Sequence, residues 1–209
     1  MNLNKLKKLS GDASFRSFYR KKKSVLVYCK KDKKINLANY EAVNKILIKN
    51  KILAPRLISE DYKNDYIEIE DLGDMTVYKK FKKKNVNKFY YYKKIIRLLQ
   101  KMQKIKVRKM KTFLNSKHKI TIYSNNKLVN EANLFLKWYL PKYIKGNRKK
   151  VIKKKIYKIY KILIKKLIYK KKVFVHRDFH VSNIMITKNG LGLIDSQDAV
   201  FGNIAYDLA

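Results

Sequence analysis

Four polar residues near the C-terminal end of this 209-residue chain have the types and spacing of a chemical site. His176 and Asp178 follow one apolar run, and Asn183 comes directly before a second. Asp195 ends a third apolar run. Polar side chains on loops that rigid strands hold are frequent carriers of function. A carboxylate such as Asp178 can accept a proton from a hydroxyl group if the loop positions it to do so.

A hairpin between Asn183 and Asp195 would bring these two side chains together. Residues 184–187 and 191–194 have the composition of strands, and residues 188–190 have that of a turn. Amide and carboxylate oxygens are hard ligands that suit Mg²⁺. A base, two such ligands and a nucleotide make up a phosphoryl-transfer site. The sequence therefore predicts an ATP- and Mg²⁺-dependent site, and the alternative is a structural loop whose Asp and Asn residues cap turns.

The first 70 residues predict an antiparallel sheet with one inserted helix. Apolar residues recur at helical spacing between residues 36 and 49. Two tight connections before this helix favour antiparallel pairing of the strands that precede it. Five stretches have the composition of strands: residues 3–9, 15–20, 24–29, 56–59 and 66–70.

The segment Asp71–Asp74 breaks this pattern, and the chain beyond it becomes helical. Residues 104–127 show no clear periodicity. We therefore expect an α+β chain with a β-rich lobe, residues 1–72, and a mainly helical lobe, residues 73–209, that carries the polar loop. Amphipathic faces predict three helices in the second lobe: residues 89–102, 128–144 and 152–167.

The composition limits the classes of partner. The net charge is +38, but only seven of the 53 basic residues are Arg, the residue that nucleic-acid sites favour for bidentate contacts. Lys is spread over the whole chain, together with abundant Ile, Asn, Tyr and Phe, as an AT-rich genome would encode. We expect no specific nucleic-acid partner, and a charge-driven binder of phosphate backbones is the alternative.

Two further features indicate a cytoplasmic location. The single Cys excludes a disulfide framework. The N-terminus lacks an apolar targeting segment, and no stretch approaches the roughly 18 apolar residues of a membrane span. We therefore expect no association with a membrane.

The polar loop and the acid that follows it resemble the catalytic loop and the metal-binding Asp of the protein-kinase-like fold. The pattern His-x-Asp-x-His-x-x-Asn over residues 176–183 is similar to the aminoglycoside phosphotransferase and choline kinase branch of that fold. The resemblance extends over nearly the whole chain to the bacterial anomeric kinases of N-acetylmuramate and N-acetylglucosamine. Four segments in the expected order carry it: residues 11–20, 69–74, 131–139 and 194–199.

The resemblance implies a role for each residue of the loop. Asp178 would be the catalytic base that orients a sugar hydroxyl, and His176, which belongs to the catalytic loop, would brace it. Asn183 and Asp195 would hold Mg²⁺, and Ser14 would contact the phosphates of ATP.

The resemblance also implies how the rest of the nucleotide is bound. Glu70, Asp71 and Leu72 would form a hinge whose backbone meets the adenine ring. The fold usually carries a Lys on the third strand that pairs with a Glu on the following helix. Lys30 and Glu41 are the candidates for this pair, although Lys30 follows Tyr28 and Cys29 at the strand end.

The expected function is transfer of the γ-phosphoryl group of ATP to the anomeric hydroxyl of an amino sugar. Another acceptor, such as an aminoglycoside or choline, is an alternative within the same class. A catalytically silent nucleotide-binding fragment is an alternative from a different class. Members of the fold continue with several helices after the metal-binding Asp, whereas this chain ends 14 residues after Asp195, so we expect a C-terminally truncated chain.

Overall fold

A computed structural model of the protein describes residues 6–9, 15–167 and 172–208. Within these residues, five strands form one antiparallel sheet in the order β1-β2-β3-β5-β4. This confirms the predicted sheet, and β3 and β5 have the predicted bounds. Residues 3–5 of the predicted first strand lie outside the described residues. The strands are β1 (Lys7–Leu9), β2 (Arg16–Arg20), β3 (Ser24–Cys29), β4 (Leu57–Asp61) and β5 (Tyr66–Glu70).

The inserted helix α1, Ile35–Lys49, packs against one face of this sheet. Val25, Val27 and Cys29 occupy alternate positions of β3, so their side chains point to the same face. They form a buried cluster with Leu37 and Tyr40 of α1. The alternation in β3 thus fixes which side of the sheet the helix covers.

Beyond β5 the chain is mainly helical, as predicted. The side chains of Thr76, Asn87 and Ser124 cap three of the helices by accepting hydrogen bonds from backbone N–H groups in the first turn. The predicted helix over residues 128–144 is interrupted by a π-helical turn, Phe135–Tyr139. None of the helices in the described parts of the chain is long and apolar enough to cross a membrane. The helices are α2 (Val77–Phe81), α3 (Lys88–Gln103), α4 (Asn125–Leu134), α5 (Leu140–Tyr143) and α6 (Gly146–Lys166).

Three two-stranded sheets complete the second half of the chain. The hairpin of β6 (Lys109–Lys111) and β7 (Lys117–Lys119) lies in the segment that lacks periodicity and was not predicted. The strands β8 (Val173–Val175) and β11 (Val200–Gly202) pair antiparallel. The predicted hairpin after the polar loop is present as β9 (Ile184–Thr187) and β10 (Gly190–Leu193), with a two-residue turn at Lys188 and Asn189.

Two buried cores meet at helix α1, one beneath the five-stranded sheet and a larger one among the helices and the polar-loop strands. Because α1 contributes to both cores, it links the sheet to the polar-loop strands. The boundary between residues 72 and 73 stays a prediction, since the core continues across it. The larger core includes Ile46 and Leu47 of α1, Leu99 and Met102 of α3, Phe174 of β8, Ile184 of β9, Leu193 of β10 and Phe201 of β11.

Candidate active site

The polar loop, residues 176–183, is held between the strands β8 and β9. All three residues of β8 are buried, so the start of the loop is anchored in the core. Inside the loop, the His180 N–H donates to the Asp178 carbonyl (3.0 Å), and the Asn183 N–H donates to the His180 carbonyl (2.8 Å). The loop therefore has a conformation that its own backbone supports.

Asp178 has the properties of a proton acceptor within this loop. Its side chain is half-buried, and this burial raises the pKa of the carboxyl group above its ordinary value. The negative charge of Asp195 raises this pKa further, whereas Arg177 lowers it. Because a higher pKa makes a carboxylate a stronger base, Asp178 is better suited to accept a proton than a solvent-exposed Asp.

Asn183 connects the polar loop to the segment around Asp195 that follows the hairpin. Its Nδ2 atom donates to the Asp178 carbonyl at 3.1 Å, and its own carbonyl accepts from the Ile194 N–H at 3.1 Å. Nδ2 is the atom that makes this bond, and Oδ1 is the side-chain atom of Asn183 that has lone pairs for a cation. The structure therefore brings Asp178, Asn183 and Asp195 to one place, as the sequence predicted.

The oxygen donors at this place fit Mg²⁺. Asn183 offers an amide oxygen and Asp195 offers a carboxylate whose side chain is 35% exposed. Mg²⁺ is usually bound by one or two carboxylates, substrate phosphates and several waters. Among the residues that the structure describes, no group of three or more His, Cys, Asp or Glu side chains could hold a metal ion. The further ligands of an ion at Asn183 and Asp195 would thus come from nucleotide phosphates and water.

Two residues of the site adopt the left-handed backbone conformation. The φ angles are 78° for Arg177 and 64° for Asp195. This conformation is uncommon for residues that carry a Cβ atom, and strained backbone of this kind clusters at functional sites, although Lys51, Asp65, Asn85 and Asn115 adopt it outside this one. The two residues lie at the start of the polar loop and just after the hairpin.

His176 lies beneath the loop and is completely buried. Burial lowers the pKa of its imidazole to about 4, so the ring is neutral at neutral pH. Its ring centre lies 6.4 Å from that of Phe179 in an edge-on arrangement. This location favours a bracing role over contact with a substrate.

Asp207 is a part of the site that the sequence analysis missed. Its Oδ2 atom accepts from the His176 backbone N–H (2.8 Å), and its Oδ1 atom accepts from the Arg177 N–H (3.0 Å). Burial raises the pKa of Asp207, while these two N–H donors lower it. Nothing in the spacing could reveal this contact, because about 30 residues separate the partners.

Helix α4 holds the polar loop from another side. The Arg177 Nη2 atom lies 2.9 Å from the Glu131 Oε1 atom, and its guanidinium lies 5.4 Å from the centre of the Tyr123 ring. The Tyr123 hydroxyl in turn donates to the Glu131 carboxylate. The segment around Glu131, which the sequence analysis connected with the family, therefore supports the loop.

The predicted hinge is fastened to strand β2 by Arg20. The Arg20 Nε atom lies 2.6 Å from Asp71 Oδ2, and the Nη2 atom donates to the Gly73 carbonyl at 3.1 Å. The Arg20 side chain also pairs with Asp74. Hydrogen bonds to the two acids raise the pKa of Arg20. The sequence analysis did not assign a role to Arg20.

All three predicted hinge residues, Glu70, Asp71 and Leu72, line a cavity of about 720 Å³. Its other walls come from the connection after α1, residues 51–54, and from the hairpin residues 186–189. The residues of the polar loop do not line this cavity. The cavity marks open space beside the hinge and does not locate the phosphate groups of a nucleotide.

The predicted pair of Lys30 and Glu41 is wrong, and the structure describes both residues. Glu41 is buried in α1, where its carboxylate pairs with Lys45 one turn later and accepts from the Phe113 N–H at 3.2 Å. Lys30 is exposed at the end of β3. The Glu41 carboxylate thus contacts Lys45 and the segment after β6, and among the described residues it forms no ion pair with Lys30. Ser14, the predicted phosphate contact, lies outside the described residues.

The fold and this geometry agree with the comparisons to known proteins. The chain belongs to the phosphotransferase enzyme family, whose family model matches residues 5–209. Two solved structures share its fold. One is the ADP-bound aminoglycoside phosphotransferase APH(2'')-Ib, with a TM-score of 0.71 and 16% identity, and the match covers 99% of this chain and 70% of that one. The other is the choline kinase LicA from Streptococcus pneumoniae, with a TM-score of 0.64 and 13% identity, and the match covers 97% of this chain and 66% of that one. The chain thus has a protein-kinase-like two-lobe α+β fold.

Two curated relatives are more similar in sequence. The N-acetylmuramate/N-acetylglucosamine kinase of Pseudomonas aeruginosa is 25% identical over 202 residues, which cover 95% of this chain and 56% of the relative. The kinase of the same name from Neisseria meningitidis is 26% identical over 207 residues, covering 95% and 58%. The chain spans somewhat more than half the length of these relatives.

Proposed function

We propose that this protein is an ATP- and Mg²⁺-dependent phosphotransferase whose acceptor is a hydroxyl group of an amino sugar. The observation that carries the proposal is the position of Asn183. Its side chain is hydrogen-bonded to the residue proposed as the base, and its backbone is hydrogen-bonded to Ile194, next to Asp195. A base and two hard oxygen ligands are thereby held together, as phosphoryl transfer requires.

In the proposed mechanism, each residue acts through position and charge. Asp178 orients the acceptor hydroxyl and accepts its proton. Asn183 and Asp195 would hold Mg²⁺, which, when bound, neutralises charge on the transferred phosphoryl group. Asp207 and Glu131 keep the loop in place, so that the hydroxyl can be aligned with the phosphorus atom.

The acceptor class is supported by the relatives and by charge. Both curated relatives are named as kinases of N-acetylmuramate and N-acetylglucosamine, and we propose the anomeric hydroxyl as the position of transfer. Cationic acceptors such as choline or an aminoglycoside call for acidic groups, whereas this chain has 15 acidic and 53 basic residues. A neutral or anionic sugar suits this composition better.

The test is an assay of the purified chain with Mg-ATP and a panel of acceptors. We expect a sugar 1-phosphate from an amino sugar, identified by mass spectrometry and phosphorus NMR, and no product from choline or an aminoglycoside. Phosphorylation of choline or an aminoglycoside alone would contradict the acceptor class. Nucleotide binding without product from any acceptor would support the catalytically silent alternative.

The role of Asp178 has its own test. In Asp178→Asn the amide cannot accept the proton, and we expect turnover to fall by at least about 100-fold while ADP still binds. The matched control is Asp32→Asn, which makes the same change at an exposed carboxylate outside the site. Wild-type turnover in Asp178→Asn would remove Asp178 from the mechanism.

A further inference from the structure

Arg16 is a buried cation at the start of strand β2. Its side chain is 4% exposed, although a charged side chain is rarely buried without a partner. The guanidinium lies 5.5 Å from the centre of the Tyr40 ring and 5.6 Å from that of the Phe18 ring. An arginine can be accommodated there because its planar, weakly hydrated group packs well against aromatic rings.

Arg16 reaches from the sheet to the segment that follows the hairpin. Its Nη2 atom lies 2.5 Å from the Asp195 Oδ1 atom, and its Nη1 atom donates to the Gln197 Oε1 atom at 2.5 Å. The Gln197 amide group donates to the Asp198 carboxylate at 2.9 Å, which turns the Gln197 oxygen towards Arg16. A planar guanidinium that contacts two groups fixes their direction as well as their distance.

Helix α1 fixes the same segment from the other side. The Ser196 hydroxyl donates to the Asn44 Oδ1 atom at 2.7 Å, and the Asn44 Nδ2 atom donates to the Pro55 carbonyl at 3.1 Å. Asn44 and Ser196 are both buried. The backbone of residues 195–197 is therefore held by α1, while Arg16 determines where the carboxylate of Asp195 points.

The two oxygens of the Asp195 carboxylate have different surroundings. Oδ1 is engaged by Arg16, whereas Oδ2 has no hydrogen-bond or ion-pair partner within the described part of the chain. The side chain is also 35% exposed, so a cation can reach it. One oxygen is thus tied down and the other is presented to a ligand.

We propose that Arg16 is the positioning residue of the metal site, holding the Asp195 carboxylate in the orientation that accepts Mg²⁺. The proposal rests on the proposed function, because it assigns a role within that same site. It concerns the metal-dependent part of nucleotide binding.

The experiment measures the dissociation constant of ADP, by calorimetry, in excess Mg²⁺ and in excess chelator. For the wild-type chain we expect tighter binding with Mg²⁺. Arg16→Met keeps most of the length and the apolar contacts of the side chain. In this variant we expect the factor by which Mg²⁺ tightens ADP binding to fall at least about ten-fold, because Asp195 is released from its orientation. Binding in chelator should change much less.

Two further variants separate positioning from folding. Arg16→Lys keeps one charge contact to Asp195 but cannot bridge to Gln197, so we expect partial recovery of the Mg²⁺ enhancement. Gln197→Met removes the contact with Gln197 and leaves the contact of Arg16 with Asp195, so we expect an intermediate loss. Both variants remain informative if Arg16→Met does not fold, and Arg97→Met, at an exposed position of α3, is the matched control.

The outcomes distinguish this proposal from the proposed function. If wild-type chain binds no ADP, or binds it without any effect of Mg²⁺, the proposed function fails. If the wild type shows the enhancement and folded Arg16→Met, Arg16→Lys and Gln197→Met show it undiminished, the function stands and the role of Arg16 is wrong. A metal-specific loss in the variants, with recovery by Lys, supports the positioning role.

Discussion

His176 and Asp178 are two residues apart, yet burial changes their proton affinities in opposite directions. In each case the low-dielectric surroundings disfavour the charged form. The pKa of the His176 imidazole therefore falls to about 4, and the pKa of the Asp178 carboxyl rises. At neutral pH the polar loop therefore has a neutral imidazole ring beneath it.

The shifted pKa of His176 predicts a specific loss of stability in acid. Above pH 6.5 the imidazole is neutral in both the folded and the unfolded state. Between pH 6.5 and about 4 only the unfolded state takes up this proton, so the free energy of unfolding decreases, by about 3 kcal/mol at most. Urea unfolding from pH 4 to 7.5 should show this slope, reduced in His176→Gln. His180→Gln, at an exposed loop position, is the control, and equal slopes in wild type and His176→Gln would contradict the prediction.

At the scale of the elements, strand β2 makes most of the contacts that join the sheet to the rest of the site. Arg20 binds the hinge acids Asp71 and Asp74, and Arg16 binds Asp195. Helix α1 adds the contact between Asn44 and Ser196. The site is therefore assembled from elements that are far apart in the sequence.

The hinge contacts of Arg20 predict a local effect of its removal. In Arg20→Met the two acids and the Gly73 carbonyl lose their shared donor, so we expect faster hydrogen exchange over residues 71–74 and ADP affinity lower by a few-fold. The cost in global stability should be about 1 kcal/mol or less, because these pairs are partly exposed. Lys21→Met, which removes the neighbouring ion pair with Glu68, is the control. Unchanged exchange and unchanged affinity would show that Arg20 does not secure the hinge.

The elements also show what a sequence can and cannot reveal. The strands β3 and β5 were predicted with their bounds because their β-rich composition is a local signal, and the hairpin after Asn183 was predicted from composition and turn residues. The contact of Arg16 with Asp195 joins residues 179 positions apart, so no local pattern records it. The pair of Lys30 and Glu41 failed for a related reason, since the rotation of α1 depends on what packs around it.

At the scale of the whole molecule, the net charge of +38 is distributed over the surface rather than concentrated at the site. Many Lys side chains lie on the exposed positions of α3 and α6, where like charges repel. Such repulsion favours expansion of the chain and is weakened by salt. The free energy of unfolding should therefore increase with ionic strength.

This charge predicts that the melting temperature rises with salt. We expect an increase of several degrees between about 20 mM and 300 mM NaCl, over which range the Debye length falls severalfold. Non-specific binding to RNA should weaken steeply over the same range. As a control, KCl at the same ionic strength should give the same increase in a thermal melt, because screening depends on ionic strength. A melting temperature that is independent of NaCl would mean that the surface charges do not oppose folding.

The two arginines of β2 also set how the molecule can move. Four residues of extended strand separate Arg16 from Arg20 by about 13 Å, and the strand between them is stiff. A rotation of the sheet about the hinge would have its pivot near Arg20, so it would displace Arg16 the most. Such a rotation would pull on the contact between Arg16 and Asp195, so strand β2 ties the orientation of the sheet to the orientation of the Asp195 carboxylate.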